Sequence, residues 1–294
     1  MKPKLKEKQV QVKLVEFFNE HYYKVTLPDG KEDYYPSVTT KLEVISSPFL
    51  GRWRGEIGNE AADRRLTDSQ DRGSRIHKAF ETKLKHGIVI YNNWRKPKYT
   101  RDQIDNFKKI NELKHEEVYV LEYEEEAHTF TKLDTWLDRV KAKVIYSEQV
   151  VYSKKHREAG TLDSVMHIKA GIYSINGATD VKINGGNYLV DLKTGKSVSD
   201  TNRLQIAAYY SFVKEMGLCD LEGAIILHTS SKNKKGIEGI ATLVFDHEEL
   251  EANNKIYRHA ASIWDWQNES SVNFTPTVME LPTIFSDRQL KRIE

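Results

Sequence analysis

Apolar positions change their period near the middle of the chain. Lys8 to Glu20 is basic, and its apolar positions Val12, Leu14, Val15 and Phe18 fit neither period. Tyr22 to Leu27 reads as a strand, and Pro28-Asp29-Gly30 as a turn, because Pro presets φ and Gly tolerates a positive one. A second strand through Tyr34 and Tyr35 completes a small hairpin. Ser37 or Thr39 is placed to cap a helix running through Leu42 to Ile45. Phe49, Leu50, Trp53, Ile57 and Ala61 are spaced for one face of a helix over 49–66. The polar stretch Asp68 to Gly73 predicts a break. A further helix is expected from about Ser74 to Lys85, ending near Gly87, and another over 100–115 with Ile104, Phe107 and Ile110 inward.

After residue 117 the pattern alternates between strand and helix. Glu117–Tyr123, Glu148–Ser153, Gly160–Val165, Tyr188–Lys193, Glu222–His228 and Glu238–Phe245 read as strands. The turn signal Asn184-Gly185-Gly186-Asn187 precedes Tyr188, and Lys232 to Gly236 is a basic loop. Helices are expected over Lys132–Lys141, over Thr201–Met216 with closure near Gly217, and over 247–266 with Leu250, Ile256, Ala260, Ile263 and Trp264. The pattern predicts an α/β fold: alternating strands and helices in the second half, with a mainly helical N-terminal elaboration over 1–115, an α/β core over 116–270 and a C-terminal tail over 271–294. No repeat, low-complexity tract or linker divides it, so one domain over 1–294 is the expectation.

Composition narrows the class. Of 294 residues, 39% are hydrophobic and 30% charged, which is a globular balance. The net charge is only +2, so any contact with nucleic acid must be local, and a metal can supply part of the attraction. Cys219 is the single cysteine; an intrachain disulfide is impossible and a reducing compartment fits. Met1 to Lys6 lacks the apolar run of a signal peptide, and no apolar stretch approaches the roughly 20 residues of a membrane span. A cytoplasmic location with no membrane contact is the expectation.

The candidate chemistry starts with two strand-borne carboxylates. Asp163 closes Gly160-Thr161-Leu162-Asp163, and Asp191 follows the apolar run Tyr188-Leu189-Val190. Residues two apart on a strand share a side, so Asp191 and Lys193 face one way and Leu192 faces the core. If the two strands are neighbours, two carboxylates converge and repel unless a cation lies between them. Hard oxygen ligands suit Mg2+ or Mn2+, which acidifies water and polarises a phosphodiester. Lys193 is then placed to orient the water or to stabilise charge on phosphoryl oxygens. The bland alternative is an edge strand ending in a surface ion pair. His77 lies four residues after Gly73 on one helix face and can offer a nitrogen to the metal, or it is a surface histidine. Arg75 can meet a phosphate. Gln205 and Tyr209, also four apart, can position a nucleotide or the lysine, or can simply be core residues. Glu148, ahead of the Asp163 strand, can line the metal site, receive a second ion or sit at a solvated strand end.

Taken in order, Gly73-Ser74-Arg75-Ile76-His77, Glu148, Gly160-Thr161-Leu162-Asp163, Asp191-Leu192-Lys193-Thr194-Gly195 and Gln205-Ile206-Ala207-Ala208-Tyr209 resemble the successive motifs of the RecB-like branch of the PD-(D/E)XK nuclease superfamily. The resemblance covers roughly residues 36–245. Pro36-Ser37-Val38-Thr39 followed by Trp53 is similar to the opening of exonucleases in this group, viral and mitochondrial ones included. The resemblance implies a restriction-endonuclease-like fold, a mixed central sheet flanked by helices, and hydrolysis of DNA phosphodiesters with Mg2+ or Mn2+. It implies that His77, Asp163, Asp191 and the Leu192 carbonyl hold metal and that Lys193 is the catalytic lysine. Glu148 matches a carboxylate near the metals in some members. Gln205 and Tyr209, with Ser74 and Arg75, are the candidates for placing DNA.

Two departures stand out. Leu162, not proline, precedes Asp163. Asp163 and Asp191 are 28 positions apart, longer than the usual hairpin; the insert from Lys169 to Asn187 predicts an extra hairpin near the active site, with a strand over Gly177 to Ile183, and holds Asp180 as a rival ligand. The lone cysteine rules out an iron–sulfur cluster. Tyr91-Asn92-Asn93-Trp94-Arg95-Lys96-Pro97-Lys98-Tyr99 is either a folded surface loop or a patch that stacks bases, as Trp53 could also do. The expected substrate is single-stranded DNA or DNA ends, attacked by an exonuclease. An endonuclease, a non-catalytic DNA-binding module and a small-molecule phosphoesterase are the alternatives; replication or recombination proteins could recruit the enzyme, and no sequence feature chooses among them.

Overall fold

The computed structural model describes residues 10–17, 20–27, 29–45, 48–85, 87–93, 95–173, 180–232 and 238–268. The chain opens with three antiparallel strands, β1 (Gln11–Phe17), β2 (Glu20–Thr26) and β3 (Glu32–Pro36), in that spatial order. The segment whose period was ambiguous is thus an edge strand, and a small sheet precedes the helices of the N-terminal part. β1 alternates imperfectly because Leu14 stays exposed. The β2–β3 turn uses Gly30 at φ 87°. Next come the short helix α1 (Val38–Leu42), α2 (Pro48–Ile57) and α3 (Asn59–Lys85). Ser37 caps α1 by accepting the Thr40 N–H.

The helix expected over 49–66 is cut in two at Gly58, whose φ of 83° breaks the helical path. The break expected at Asp68 to Gly73 is absent: α3 is one helix of 27 residues. Residues 67–71 are polar because nothing packs on that stretch, not because the helix ends. A two-stranded parallel sheet follows, β4 (Ile88–Tyr91) with β5 (Val118–Leu121), enclosing α4 (Arg101–Ile110). Ile104 of α4 is buried, but Phe107 and Ile110 are exposed, against expectation.

The central sheet comprises β6 (Lys143–Ser153), β7 (Glu158–Ile168), β10 (Gly186–Lys193), β11 (Gly223–Lys232) and β12 (Glu238–Phe245), in the order β12-β11-β10-β7-β6. Between β7 and β10 in the chain lies the hairpin of β8 (Gly171–Tyr173) and β9 (Val181–Ile183). Only β10 and β11 are parallel, and the helix α6 (Asp200–Met216) makes their crossover. The sheet is therefore mixed, as expected. One face carries α1, α6 and α7 (His247–Asn268), with Leu189, Ile226, Phe212, Leu250 and Tyr257 in a common core. The other carries α3 and α5 (Glu124–Val140), packing Ile76, Phe80, Leu133 and Trp136 on Val190, Leu192 and Leu227. β10 is buried on both faces from Tyr188 to Leu192, which explains its unbroken apolar run. Full burial of each such large apolar side chain stabilises the fold by roughly 1.5–3 kcal/mol. On α7, Ile256 and Ile263 point outward, contrary to the expected face.

The β8–β9 hairpin leaves β7 after Ile168 and rejoins β10 at Gly186, and those two residues pair. Asp163 lies five residues back along β7, about 17 Å at strand rise. The insert therefore grows from the sheet end opposite Asp163, and the expectation of a hairpin beside the site is corrected. Asp180, exposed just before β9, is displaced with it and is no rival ligand.

Candidate active site

The site forms where β7 and β10 part. Their pairing runs from Gly186–Ile168 to Val190–Ser164. Beyond that last pair, the Asp163 carboxylate enters the fork and its Oδ2 accepts the Leu192 N–H at 2.7 Å. Ser164 Oγ donates to the Val190 carbonyl at 3.2 Å and pins the last rung. The two carboxylates that the sequence placed on separate strands are brought together at one strand end.

Asp191 is 4% exposed and lies under the ammonium of Lys193, whose Nζ is 3.1 Å from its Oδ1 and 2.8 Å from its Oδ2. The Oδ2 contact lacks hydrogen-bond geometry, so this buried oxygen has no hydrogen-bond partner. Burial pushes the Asp191 carboxyl up; Lys193 opposes this and the Asp163 charge adds to it. Burial pulls the Lys193 ammonium down, but Asp191 and Asp163 outweigh it and hold its pKa above the ordinary lysine value. Lys193 is thus a fixed cation.

Helix α6 supplies the lysine's third contact. Gln205 Oε1 accepts from Lys193 Nζ at 3.0 Å, and Gln205 Nε2 donates to Tyr209 Oη at 3.1 Å. One helical turn separates the two residues, so the pair forms a short relay from the core to the lysine. Burial raises the Tyr209 phenol far above its ordinary value, so it stays neutral. Its ring lies against Gly160, where a Cβ would stand 2.2 Å from Cε1. Thr161, beside it on β7, exchanges a 2.8 Å hydrogen bond with Tyr23 of β2.

Helix α3 closes the site from the opposite face. His77 Nδ1 is 3.6 Å from Asp163 Oδ2. Gly73, one turn earlier, lets α3 approach the segment after Lys193, since a Cβ there would lie 2.9 Å from Thr194 Oγ1. The same segment is held by three donors that sequence reasoning missed: Arg72 and Ser230 to the Thr194 carbonyl (3.4 and 3.2 Å), and His228 Nε2 at 2.7 Å from the Gly195 carbonyl.

The pairs Ser147–Ser164 and Gln149–Leu162 place Glu148 opposite Asp163. Its backbone is left-handed, φ 51°, a cost of roughly 1–3 kcal/mol for a non-glycine residue. Desolvation, then the charges of Asp163 and Glu81, push its carboxyl up to about 7. Glu81 also escaped the sequence reading, although its spacing of four from His77 puts it on the same helix face. It is bracketed by Lys78 (2.8 Å) and Lys85 (2.6 Å).

One expected DNA-placing residue sits differently. Arg75 donates through Nε and Nη2 to Glu126 Oε1 (2.9 and 2.8 Å) and lies over the Tyr123 ring. It braces α3 against α5, and a protein carboxylate takes the place expected for a phosphate. Ser74 is exposed on α3. Trp53 is half-buried on α2, and Trp94 lies outside the described residues, as do the basic loop at 233–237 and the tail beyond 268.

Among the described residues, no three His, Cys, Asp or Glu side chains form a ready metal-holding group. The donor set nevertheless fits a hard divalent cation: two converging carboxylates, a nearby imidazole, and one buried carboxylate oxygen with no hydrogen bond. Among the described residues no helix is long and apolar enough to cross a membrane.

A mixed sheet flanked by helices, with two aspartates and a lysine at a strand fork, defines an α/β protein with a carboxylate–lysine centre. The chain belongs to the PD-(D/E)XK nuclease superfamily, whose family model matches residues 49–278. That superfamily is known for nuclease activity, generally binds DNA and generally uses divalent metals. No curated protein matches the chain.

Proposed function

We propose that this protein is an Mg2+- or Mn2+-dependent DNA exonuclease of the RecB-like branch, hydrolysing phosphodiester bonds in single-stranded DNA or at DNA ends. The observation that carries the reading is the clamp on Lys193, whose ammonium is fixed by Asp191 and by the Gln205–Tyr209 relay beside Asp163. The lean toward exonucleases rests on the motif order and on the Pro36 to Trp53 resemblance.

His77, Asp163, Asp191 and the Leu192 carbonyl would hold the metal, with Glu148 lining the site. A bound divalent cation supplies charge neutralisation at the phosphate and makes water more acidic. Lys193 donates to the attacking water or to a phosphoryl oxygen as negative charge builds there. Gln205 holds the ammonium in that position, and the buried Tyr209 holds Gln205. Asp163 keeps the Leu192 peptide in place through its N–H. Hydrolysis forms one phosphorus–oxygen bond to water and breaks the bond to the leaving sugar oxygen. Gln205 and Ser74 are the positions proposed to place DNA, and Tyr209, buried behind Gln205, acts through it. A cytoplasmic site of action, in a host cell if the chain is viral, and partners in replication or recombination are part of this reading.

The test is cleavage of 5′- and 3′-labelled oligonucleotides, single- and double-stranded, with Mn2+ or Mg2+. The expected result is stepwise shortening of linear DNA, lost in Lys193→Ala. Cutting of closed circles points to an endonuclease. No cleavage of any DNA by the wild-type protein leaves a non-catalytic DNA-binding module.

A further inference from the structure

The residues joining β4 to α4 form a built loop away from the lysine clamp. The eleven residues 91–101 contain Arg95, Lys96, Lys98 and Arg101 and no acid. They begin and nearly end with a tyrosine. A cationic stretch of this kind repels itself and gains nothing by ordering unless local bonds hold it.

Those bonds are present. The Asn92 side chain clasps the far end of the loop: its Nδ2 donates to the Tyr99 carbonyl and its Oδ1 accepts the Tyr99 N–H, both at 2.9 Å. The Asn92 N–H donates to the Leu121 carbonyl at 2.8 Å, tying the neck to β5. Asn93 Oδ1 accepts the Arg95 N–H at 2.8 Å, and its Nδ2 donates to Tyr91 Oη at 3.2 Å. Thr100 and Gln103 then start α4 with a reciprocal capping box. Asn92 therefore anchors Tyr99, and Asn93 holds Tyr91 beside it at the neck, yet both tyrosines stay exposed, Tyr91 at 40% and Tyr99 at 37%. Lys98 Nζ stands 5.3 Å from the Tyr99 ring centroid.

Exposed aromatic side chains on a loop that carries cations and no carboxylate of its own match the chemistry of a nucleic-acid single strand. Unpaired bases offer faces to stack on the rings, and phosphates neutralise the cations. A duplex hides its base faces, so the rings would gain nothing from it. An acidic protein surface could meet the lysines but would leave the phenol rings without flat partners.

We propose that Tyr91 and Tyr99, flanked by Lys96, Lys98 and Arg101, form a stacking platform for single-stranded DNA, separate from the carboxylate–lysine centre. The choice of DNA over RNA rests on the proposed nuclease function; the platform does not. Its geometry selects base faces and phosphates without reading base edges, so binding is tolerant of sequence.

The experiment measures binding of fluorescein-labelled dT20 and rU20 by anisotropy, on the full chain with EDTA present to stop cleavage. Tyr91→Ala/Tyr99→Ala is expected to weaken dT20 binding about tenfold or more. Tyr91→Phe/Tyr99→Phe keeps the rings and is expected to retain binding. Blunt duplex binding should be unchanged in both. Hydrolysis of thymidine 5′-monophosphate p-nitrophenyl ester, which has a single base, measured separately with Mn2+, should also be unchanged. Wild-type dT20 affinity in a folded double-alanine variant overturns the platform, as does failure of the wild-type protein to bind either oligonucleotide. Tighter binding of rU20 overturns the assignment to DNA. Absent cleavage of any DNA by the wild-type protein with Mn2+, together with intact, tyrosine-dependent dT20 binding in EDTA, sinks the nuclease reading and leaves the platform standing.

Discussion

Asp163 accepts the backbone N–H of Leu192 at 2.7 Å in the fork where β7 and β10 separate. The carboxylate thus has two tasks: it closes a ladder that the strands no longer close themselves, and it faces Asp191 and His77. The tasks are separable. Asp163→Asn keeps an acceptor oxygen and the volume, so stability should stay near wild type while DNA cleavage is lost. Asp163→Ala leaves the N–H unpaired and should cost about 1–3 kcal/mol in urea unfolding. If Asn and Ala melt alike, charge rather than the acceptor atom holds the fork.

The raised pKa of Asp191 predicts an unusual pH dependence for the metal-free protein. Its ordinary value is 3.8, and burial lifts it in the folded state. The folded carboxyl therefore binds its proton more tightly than the unfolded one, and protonation favours folding. The stabilisation is complete below the ordinary value and is lost as pH rises through the higher folded one. Thermal melts in EDTA should fall across that window, and Asp191→Asn should flatten this component. A wild-type profile that rises there contradicts the assignment.

Much of this arrangement was legible because neighbouring residues along the chain carry it. Tyr188 to Val190 form an unbroken apolar run because β10 is buried on both faces, and Asp191 and Lys193 share a side by strand period alone. Gln205 and Tyr209 follow from helical spacing. The misses come from tertiary contacts. Asp68 to Gly73 looked like a break, but Gly73 is there so that α3 can approach Thr194. Arg75 looked free because Glu126, its partner, is 51 residues away. His228 and Ser230 reach the Thr194–Gly195 segment from β11, and no local pattern marks a strand residue as a clamp. The insert between the aspartates was visible, but whether it leaves the near or the far sheet end depends on register.

Gly160→Ala tests the relay behind the lysine. The added methyl would meet the Tyr209 ring at 2.2 Å, too close for any rotamer adjustment of the alanine. The ring must move, and its hydroxyl leaves Gln205. Overpacking of this kind costs roughly 1–3 kcal/mol. Cleavage should fall about tenfold or more at saturating substrate, with substrate affinity little changed, as expected when a group acting on the transition state loses its support. Gly160→Ala/Tyr209→Leu makes room and should restore stability without restoring rate. Recovery of both would show that Tyr209 fills space and does not position Gln205.

A second charge cluster, remote from the lysine clamp, sets a contrasting expectation. Glu158 at the start of β7 is buried and accepts from Lys41 of α1 (2.9 Å), from Tyr257 of α7 (3.0 Å) and from Arg258. Lys41, equally buried, also meets Asp265 at 2.6 Å. The cluster joins α1, β7 and α7, and every member has partners, so its role is in holding these elements together. Glu158→Leu strands buried Lys41 on one remaining, exposed carboxylate and should cost roughly 3–5 kcal/mol. Adding Lys41→Met removes the cation that needed Glu158, so the double variant should be more stable than Glu158→Leu alone, with Arg258 turning toward solvent. The coupling is read from a four-corner denaturation cycle. A double variant no more stable than the single one means that Glu158 acts through Tyr257 and Arg258, not through Lys41.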